Sequence, residues 1–183
     1  MVSKIDLDLF EEPLRKLQIV SVAMGLGAVA LLAVMAWLTG SHPPEPLEQG
    51  RLPLVSLVAA GYGVLAILLS FVLPDQLISR NKQRIKEGSF EDRGSGLAAV
   101  MGDAIEKTGN TGRLFVLYQT RSLLTVVFLE GGSLFASVAY RVEGQVYLLV
   151  IAAVLILLLF LRLPTRRGMA EWIEDQEKEL RRG

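Results

Sequence analysis

Four long apolar runs, separated by charged segments, constrain this chain more than any other feature. Residues 19–38 and 54–73 carry no charged side chain over 20 residues each, residues 122–140 carry one, and residues 146–161 carry none. A helix of about 20 apolar residues is roughly 30 Å long, which matches the hydrocarbon core of a bilayer. The pattern therefore predicts an all-α, polytopic membrane protein with four transmembrane helices.

The distribution of Lys and Arg predicts how these helices are oriented. The five segments outside the apolar runs alternate between rich and poor in these residues: three in 1–18, one in 39–53, seven in 74–113, one in 141–145 and six in 162–183. Cytoplasmic segments carry the excess of positive charge, so both termini and residues 74–113 are expected in the cytoplasm, with the helices in a bacterial-type inner membrane.

The chain then divides into two hairpins and three cytoplasmic segments. The predicted parts are an N-terminal segment 1–18, transmembrane hairpin 19–73, a cytoplasmic helical segment 74–113, transmembrane hairpin 114–163 and an amphipathic tail 164–183. Each hairpin has a glycine after its first helix (Gly40, Gly144) and a Leu-Pro pair at the end of its second (73–74, 163–164). These shared features suggest a duplicated hairpin in parallel orientation.

Shorter patterns give local expectations. Pro74 should end or kink the second helix before a polar helical extension. Residues 88–96 are rich in Gly and Ser and predict a flexible joint, 97–107 an amphipathic helix, and 109–112 the turn into the third membrane helix. In the tail, four apolar residues share one helical face: Met169, Trp172, Ile173 and Leu180.

Two further expectations concern helix packing. Ala23 and Gly27 form a small-xxx-small pair, which lets a second helix approach the first one closely. The fourth run, 146–161, has no charged or amide side chain along its length, and it is expected to face lipid over much of its circumference.

Glu130 is the residue that most needs an explanation. Eight residues of its run precede it and ten follow it, so a spanning helix would hold it near the bilayer midplane. A charged residue at this depth costs about 2.5–3.5 kcal/mol on insertion scales, so the side chain should face the bundle, be paired or be protonated. The protonated acid can donate a hydrogen bond as well as accept one.

Tyr62 is the first predicted partner of Glu130, because it lies at the matching depth of the second run, and Ser133 is the second. The small residues after the glutamate should allow close helix packing: Gly131, Gly132, Ser133, Ala136 and Ser137. Glu130 is then either an ion-binding carboxylate that changes protonation during transport or a polar group that holds helices together, and the second interpretation is favoured.

The segment FLEGGSLFASVAY, 128–140, resembles the carboxylate helix of the c subunit (proteolipid) of rotary ATP synthases, with an acid followed by small residues. The order of a glycine-containing helix (Gly61, Gly63), a polar loop and the acidic helix is similar too. The resemblance implies that Glu130 binds the transported ion. The polar segment here has 40 residues, against a very short loop in that family, and the first and fourth runs are additional.

Other function classes lack a complete motif. Residues 131–135, GGSLF, begin like G-x-S-x-G but lack the last glycine, and no P-loop pattern occurs. The chain has no cysteine, and His42 stands alone in a proline-containing loop, so neither a metal nor another cofactor is expected. Zero net charge gives no reason to expect nucleic acid as a partner.

The sequence thus predicts a non-enzymatic accessory or assembly subunit that acts through helix–helix association. Its expected partners are the lipid bilayer and either further copies of the chain or other subunits of a membrane complex. The alternative is a proton- or cation-handling protein that uses Glu130.

Overall fold

The computed structural model describes residues 10–44, 52–86 and 110–182, and these contain five helices and no strand. The helices are α1 Glu11–Ser41, α2 Leu54–Lys86, α3 Asn110–Glu143, α4 Tyr147–Leu161 and α5 Arg166–Arg182. The predicted all-α class is confirmed over these residues. The expected joint at 88–96 and the amphipathic helix at 97–107 lie outside them.

Three helices are long and apolar enough to cross a membrane: Glu11–Ser41, Leu54–Ser79 and Thr111–Glu143. The fourth predicted span is a helix of only 15 residues, α4, which is about 22 Å long. Arg166–Glu179 follows it after a bend of 71°, so the described residues contain three candidate spans, or four if this bent pair counts as one.

The residues form two compact units, and α1, α2 and α3 each contribute to both. Unit 1 takes its described residues from Met1–Ile19, Leu73–Leu123 and Pro164–Gly183, and unit 2 takes them from Val20–Val72 and Leu124–Leu163.

In unit 1, α5 packs on the first turns of α1 and α3. Met169 and Ile173 are fully buried in a cluster with Phe10, Leu14, Leu17, Leu114, Phe115, Leu117 and Tyr118. Each such side chain contributes roughly 1.5–3 kcal/mol relative to exposure to water. Trp172 packs against the same cluster, as its predicted face requires, whereas the side chain of Leu180 lies outside the described part. Polar contacts add to the docking: Gln18 Nε2 donates to the Pro164 carbonyl at 2.8 Å and Thr111 Oγ1 donates to Glu177 Oε1 at 2.8 Å.

In unit 2, α4 packs against all three other helices. Leu155 and Leu159 lie in one cluster with Val126 and Leu129 of α3, and residues of α1 and α2 complete it: Met24 and Ile67. One face of α4 is buried and only the opposite face is exposed, with Val150 and Leu157 about 60% accessible. The expectation that α4 faces lipid over much of its circumference stays a prediction, since its exposed side, which also carries Tyr147, Val154 and Leu161, is about as wide as its buried side.

The two hairpins differ in their backbone. Gly144 ends α3 with φ +69° and donates its N–H to the Tyr140 carbonyl at 2.8 Å, whereas Gly40 lies inside α1. Pro74 lies within α2, which continues to Lys86, while Pro164 stands in the break before α5. The glycine and proline correspondences that suggest a duplication are therefore not accompanied by a shared backbone geometry, and the duplication stays a prediction. The turn expected at 109–112 is also wrong, since α3 already begins at Asn110.

Candidate functional site

Glu130 lies on α3 with its side chain half-buried. Residues one turn or two turns away on the same stripe of the helix are exposed, with Val127 50% and Val138 42% accessible. The other side of the helix is packed, since Val126, Leu129 and Ser133 are buried. Glu130 therefore stands at the edge of the α3 surface that the described residues leave uncovered.

The Glu130 carboxylate accepts no hydrogen bond and forms no ion pair within the described residues. Its main-chain carbonyl oxygen, by contrast, accepts a hydrogen bond from Ser133 Oγ at 2.8 Å. Ser133 was expected to bond the carboxylate and does not. A serine on a helix reaches the carbonyl one turn back more readily than a side chain that projects outward. Ser137 behaves in the same way, donating to the Ser133 carbonyl at 2.7 Å.

Tyr62 is brought to the expected level but not to the expected partner. Its hydroxyl lies beside Gly131, 3.5 Å from where a Cβ on that residue would stand. Its ring makes an edge contact with Phe135, with ring centroids 5.7 Å apart. No hydrogen bond joins the hydroxyl to Glu130 in the part of the chain that the structure describes. The depth of the two residues was therefore predictable, whereas the rotation of α3 about its axis decides the contact.

The small residues beside the glutamate pack closely, as the sequence predicts. A Cβ on Gly132 would stand 3.0 Å from Cβ of Ala66 on α2 and 3.1 Å from Cδ1 of Leu155 on α4. A Cβ on Gly63 would stand 3.0 Å from Cγ2 of Ile151. These distances are short for carbon atoms, so glycine is what lets α2, α3 and α4 approach one another.

On α1 the predicted small pair, Ala23 and Gly27, does not lie on the side that packs against the other described helices. A Cβ on Gly27 would meet nothing within 4 Å, and Ala23 is exposed. The packed face carries Ser21, Gly25 and Ala28 instead, and a Cβ on Gly25 would meet Phe160 Cζ at 2.9 Å. Both faces offer small residues at helical spacing, so the pattern alone does not distinguish them.

Glu143 is a second carboxylate whose role the sequence did not reveal. It stands at the end of α3, and its Oε1 and Oε2 accept the backbone N–H groups of Val55 at 3.0 Å and Ser56 at 2.8 Å. The first turn of a helix has N–H groups without partners inside the helix, and a negative charge there is favourable. The available signal was that α2 begins after Leu52 and Pro53, neither of which can cap it with a side chain.

The described residues contain no group of three or more His, Cys, Asp or Glu side chains that could hold an ion. His42 is exposed and follows α1 directly, in the loop where it was expected.

Comparisons with protein-family models, with curated proteins and with solved structures found no match for this chain.

Proposed function

We propose that the chain is a non-enzymatic, multi-pass protein of a bacterial-type inner membrane that acts by associating with another membrane-spanning polypeptide, either a second copy or a subunit of a membrane complex. The three helices of spanning length support the placement in a membrane. The Lys and Arg counts support cytoplasmic termini and a cytoplasmic segment 74–113.

The unpartnered carboxylate of Glu130 is the observation that carries the association. A polar group in hydrocarbon without a hydrogen-bond partner costs several kcal/mol. The described residues offer it none, and it stands beside the exposed stripe formed by Val127 and Val138. A donor on a neighbouring helix from another polypeptide would remove this cost, so the uncovered face of α3 fits an interface.

Disulfide cross-linking in native membranes tests this proposal, because the chain has no cysteine of its own. Val127→Cys and Val138→Cys place a thiol on the exposed stripe, and Ala136→Cys places one on the buried side as the matched control. Oxidation should give a homodimer for the exposed positions if the partner is a second copy, and a bifunctional thiol-to-amine reagent should give a heavier adduct if it is another subunit.

The contribution of Glu130 is read from a second substitution in the same cysteine variants. Glu130→Leu should abolish the cross-links, while Glu130→Gln should retain part of them because an amide still donates and accepts hydrogen bonds. Equal cross-linking from Ala136→Cys, or cross-links that persist in Glu130→Leu, would contradict association through this face.

The alternative function, proton or cation handling by Glu130, is favoured by the same unpaired carboxylate and by the resemblance of its helix to that of the ATP synthase c subunit. A hydrophobic carbodiimide reacts with protonated carboxyls in apolar surroundings and would label Glu130. Proteoliposomes would then show a cation or proton flux that Glu130→Gln abolishes. No flux, or the same flux in the variant, would rule out transport through this residue.

A further inference from the structure

A cleft of about 300 Å³ lies within unit 1 and has no role in the association proposed above. Residues of α2, α3 and α5 line it: Asp75, Ile78, Ser79, Arg121, Trp172 and Gln176. The lining combines one anionic, one cationic, one aromatic, one aliphatic and two neutral polar side chains. Such a mixture fits a small ligand that carries both charges rather than an apolar one.

The position of the cleft along the chain sets its depth. Asp75 follows the apolar run 54–73 with only Pro74 between them, and Arg121 directly precedes the run 122–140. If these runs cross the bilayer as proposed, both side chains stand where the hydrocarbon ends and the phospholipid headgroups begin. Trp172 is the residue type that is enriched at this level.

The two charges of the cleft form an ion pair that a ligand can replace. Arg121 Nη2 lies 3.3 Å from Asp75 Oδ1, with 32% and 66% of the two side chains exposed. Ion pairs this accessible contribute little, because water screens them and both side chains lose freedom. A ligand with an anionic and a cationic group can offer an opposite charge to each of these two side chains.

Gln176 adds an unused hydrogen-bond acceptor. Its amide oxygen is shielded from solvent and accepts no hydrogen bond from the described residues. The last torsion of a glutamine side chain is soft, so the amide can turn toward a donor that enters the cleft. The indole of Trp172, beside the Tyr118 ring at 5.7 Å, offers a face that attracts a cation.

From these features we propose that the cleft binds the phosphoethanolamine headgroup of a membrane phospholipid, with the phosphate at Arg121 and the ammonium at Asp75 and Gln176. This proposal rests on the proposed membrane placement. A primary ammonium donates three hydrogen bonds to these acceptors, whereas the quaternary ammonium of a choline headgroup donates none. A glycerol headgroup has no positive charge for Asp75.

Retention of lipid during purification tests the proposal. The full-length protein is reconstituted into nanodiscs that contain equal amounts of phosphatidylethanolamine, phosphatidylcholine and phosphatidylglycerol, extracted with mild detergent and analysed by native mass spectrometry. Phosphatidylethanolamine should be enriched over both other lipids, and Asp75→Asn should lower that enrichment by roughly tenfold, as loss of one charged hydrogen bond does. Arg121→Gln should lower the retention of all three lipids by a similar factor, because each of them carries the phosphate. Equal retention of the three lipids would overturn the proposal.

A second ion pair of unit 1 supplies the matched control. Arg166 Nη1 lies 3.2 Å from Glu11 Oε1 with similar exposure and does not line the cleft. Arg166→Gln should leave lipid retention unchanged, and a loss of retention equal to that of Arg121→Gln would show that general surface charge, and not the cleft, retains the lipid.

A soluble ligand with the same chemistry is distinguished by competition. Free phosphoethanolamine that displaces the lipid, or binds the detergent-solubilised protein equally tightly, would overturn the lipid as the source. A protein that spans the nanodisc and cross-links through Val127→Cys but retains no phosphatidylethanolamine contradicts the cleft proposal alone. A protein that does not insert contradicts the membrane placement itself.

Discussion

Gly132 gives the most direct test of how closely α2, α3 and α4 pack. Gly132→Ala adds a Cβ 3.0 Å from Cβ of Ala66 and 3.1 Å from Cδ1 of Leu155. Leu155 can turn away, but the methyl of Ala66 is fixed to the α2 backbone. Gly131→Ala is the matched control, one residue earlier on the same helix, where the new Cβ meets only the Tyr62 hydroxyl at an ordinary 3.5 Å.

The expected difference follows from two opposing effects. Replacing glycine by alanine inside a helix is favourable by about 1 kcal/mol, and this gain is common to both variants. Overpacking a close contact costs about 1–3 kcal/mol, and only Gly132→Ala incurs this cost. We therefore expect Gly132→Ala to have a free energy of unfolding about 1–3 kcal/mol lower than Gly131→Ala.

Unfolding of the purified protein in mild micelles by added SDS, followed by far-UV circular dichroism, measures this difference. In a double-mutant cycle, Ala66→Gly should be less destabilising in the Gly132→Ala background than in the unchanged protein, because the two methyl groups would no longer collide. If Gly132→Ala is as stable as Gly131→Ala, the helices are not packed at these distances and the role assigned to the small residues is refuted.

Three other changes are measured in the same titration. Glu143→Ala should lower the free energy of unfolding by about 0.5–2 kcal/mol, because two N–H groups of α2 lose their acceptor, and Glu143→Gln by less; equal values for both would deny the charge a role. Gly144→Ala should lower the free energy of unfolding by about 1–2 kcal/mol, since φ is +69° there. Gly40→Ala inside α1 should raise it by up to about 1 kcal/mol. Effects of the same sign would contradict the backbone conformation of Gly144. Arg162→Gln should lower the free energy of unfolding by about 0.5–2 kcal/mol, because the guanidinium 4.0 Å above the Phe71 ring is lost. Phe71→Leu should then be less destabilising in the Arg162→Gln variant than in the unchanged protein.

The features that depend on local pattern could be predicted from the sequence. Apolar runs of helical length predicted α1, α2 and α3, and the spacing of Met169 and Ile173 predicted which side of α5 is buried. Each of these follows from the residues of one segment, because an amphipathic helix buries its apolar face whichever helix covers it.

The features that depend on helix rotation could not be predicted. Hydropathy places Tyr62 and Glu130 at one depth, but a rotation of α3 about its axis decides whether the carboxylate points at the tyrosine or past it. On α1, Gly25 rather than Gly27 is packed, because Phe160 and Leu159 of α4 occupy that side. Side chains more than 130 positions away along the chain decide which of the two α1 faces with small residues is packed. No pattern within α1 carries this information.

Glu130 and Glu143 lie on one helix, and the described residues supply hydrogen-bond donors to only one of them. Glu143 stands at the end of α3 and accepts two N–H groups from the first turn of α2, which need an acceptor in any environment. Glu130 stands 13 residues earlier, where every backbone N–H of the neighbouring helices is already used within its own helix, so only a side chain could serve it. The hydroxyls of Ser133 and Ser137 donate to main-chain carbonyls of α3, and the Tyr62 hydroxyl lies beside Gly131. Among the described residues, Glu143 thus finds its donors on a neighbouring helix and Glu130 finds none, and that is the physical reason to look for the partner of Glu130 in a second polypeptide or in a transported cation.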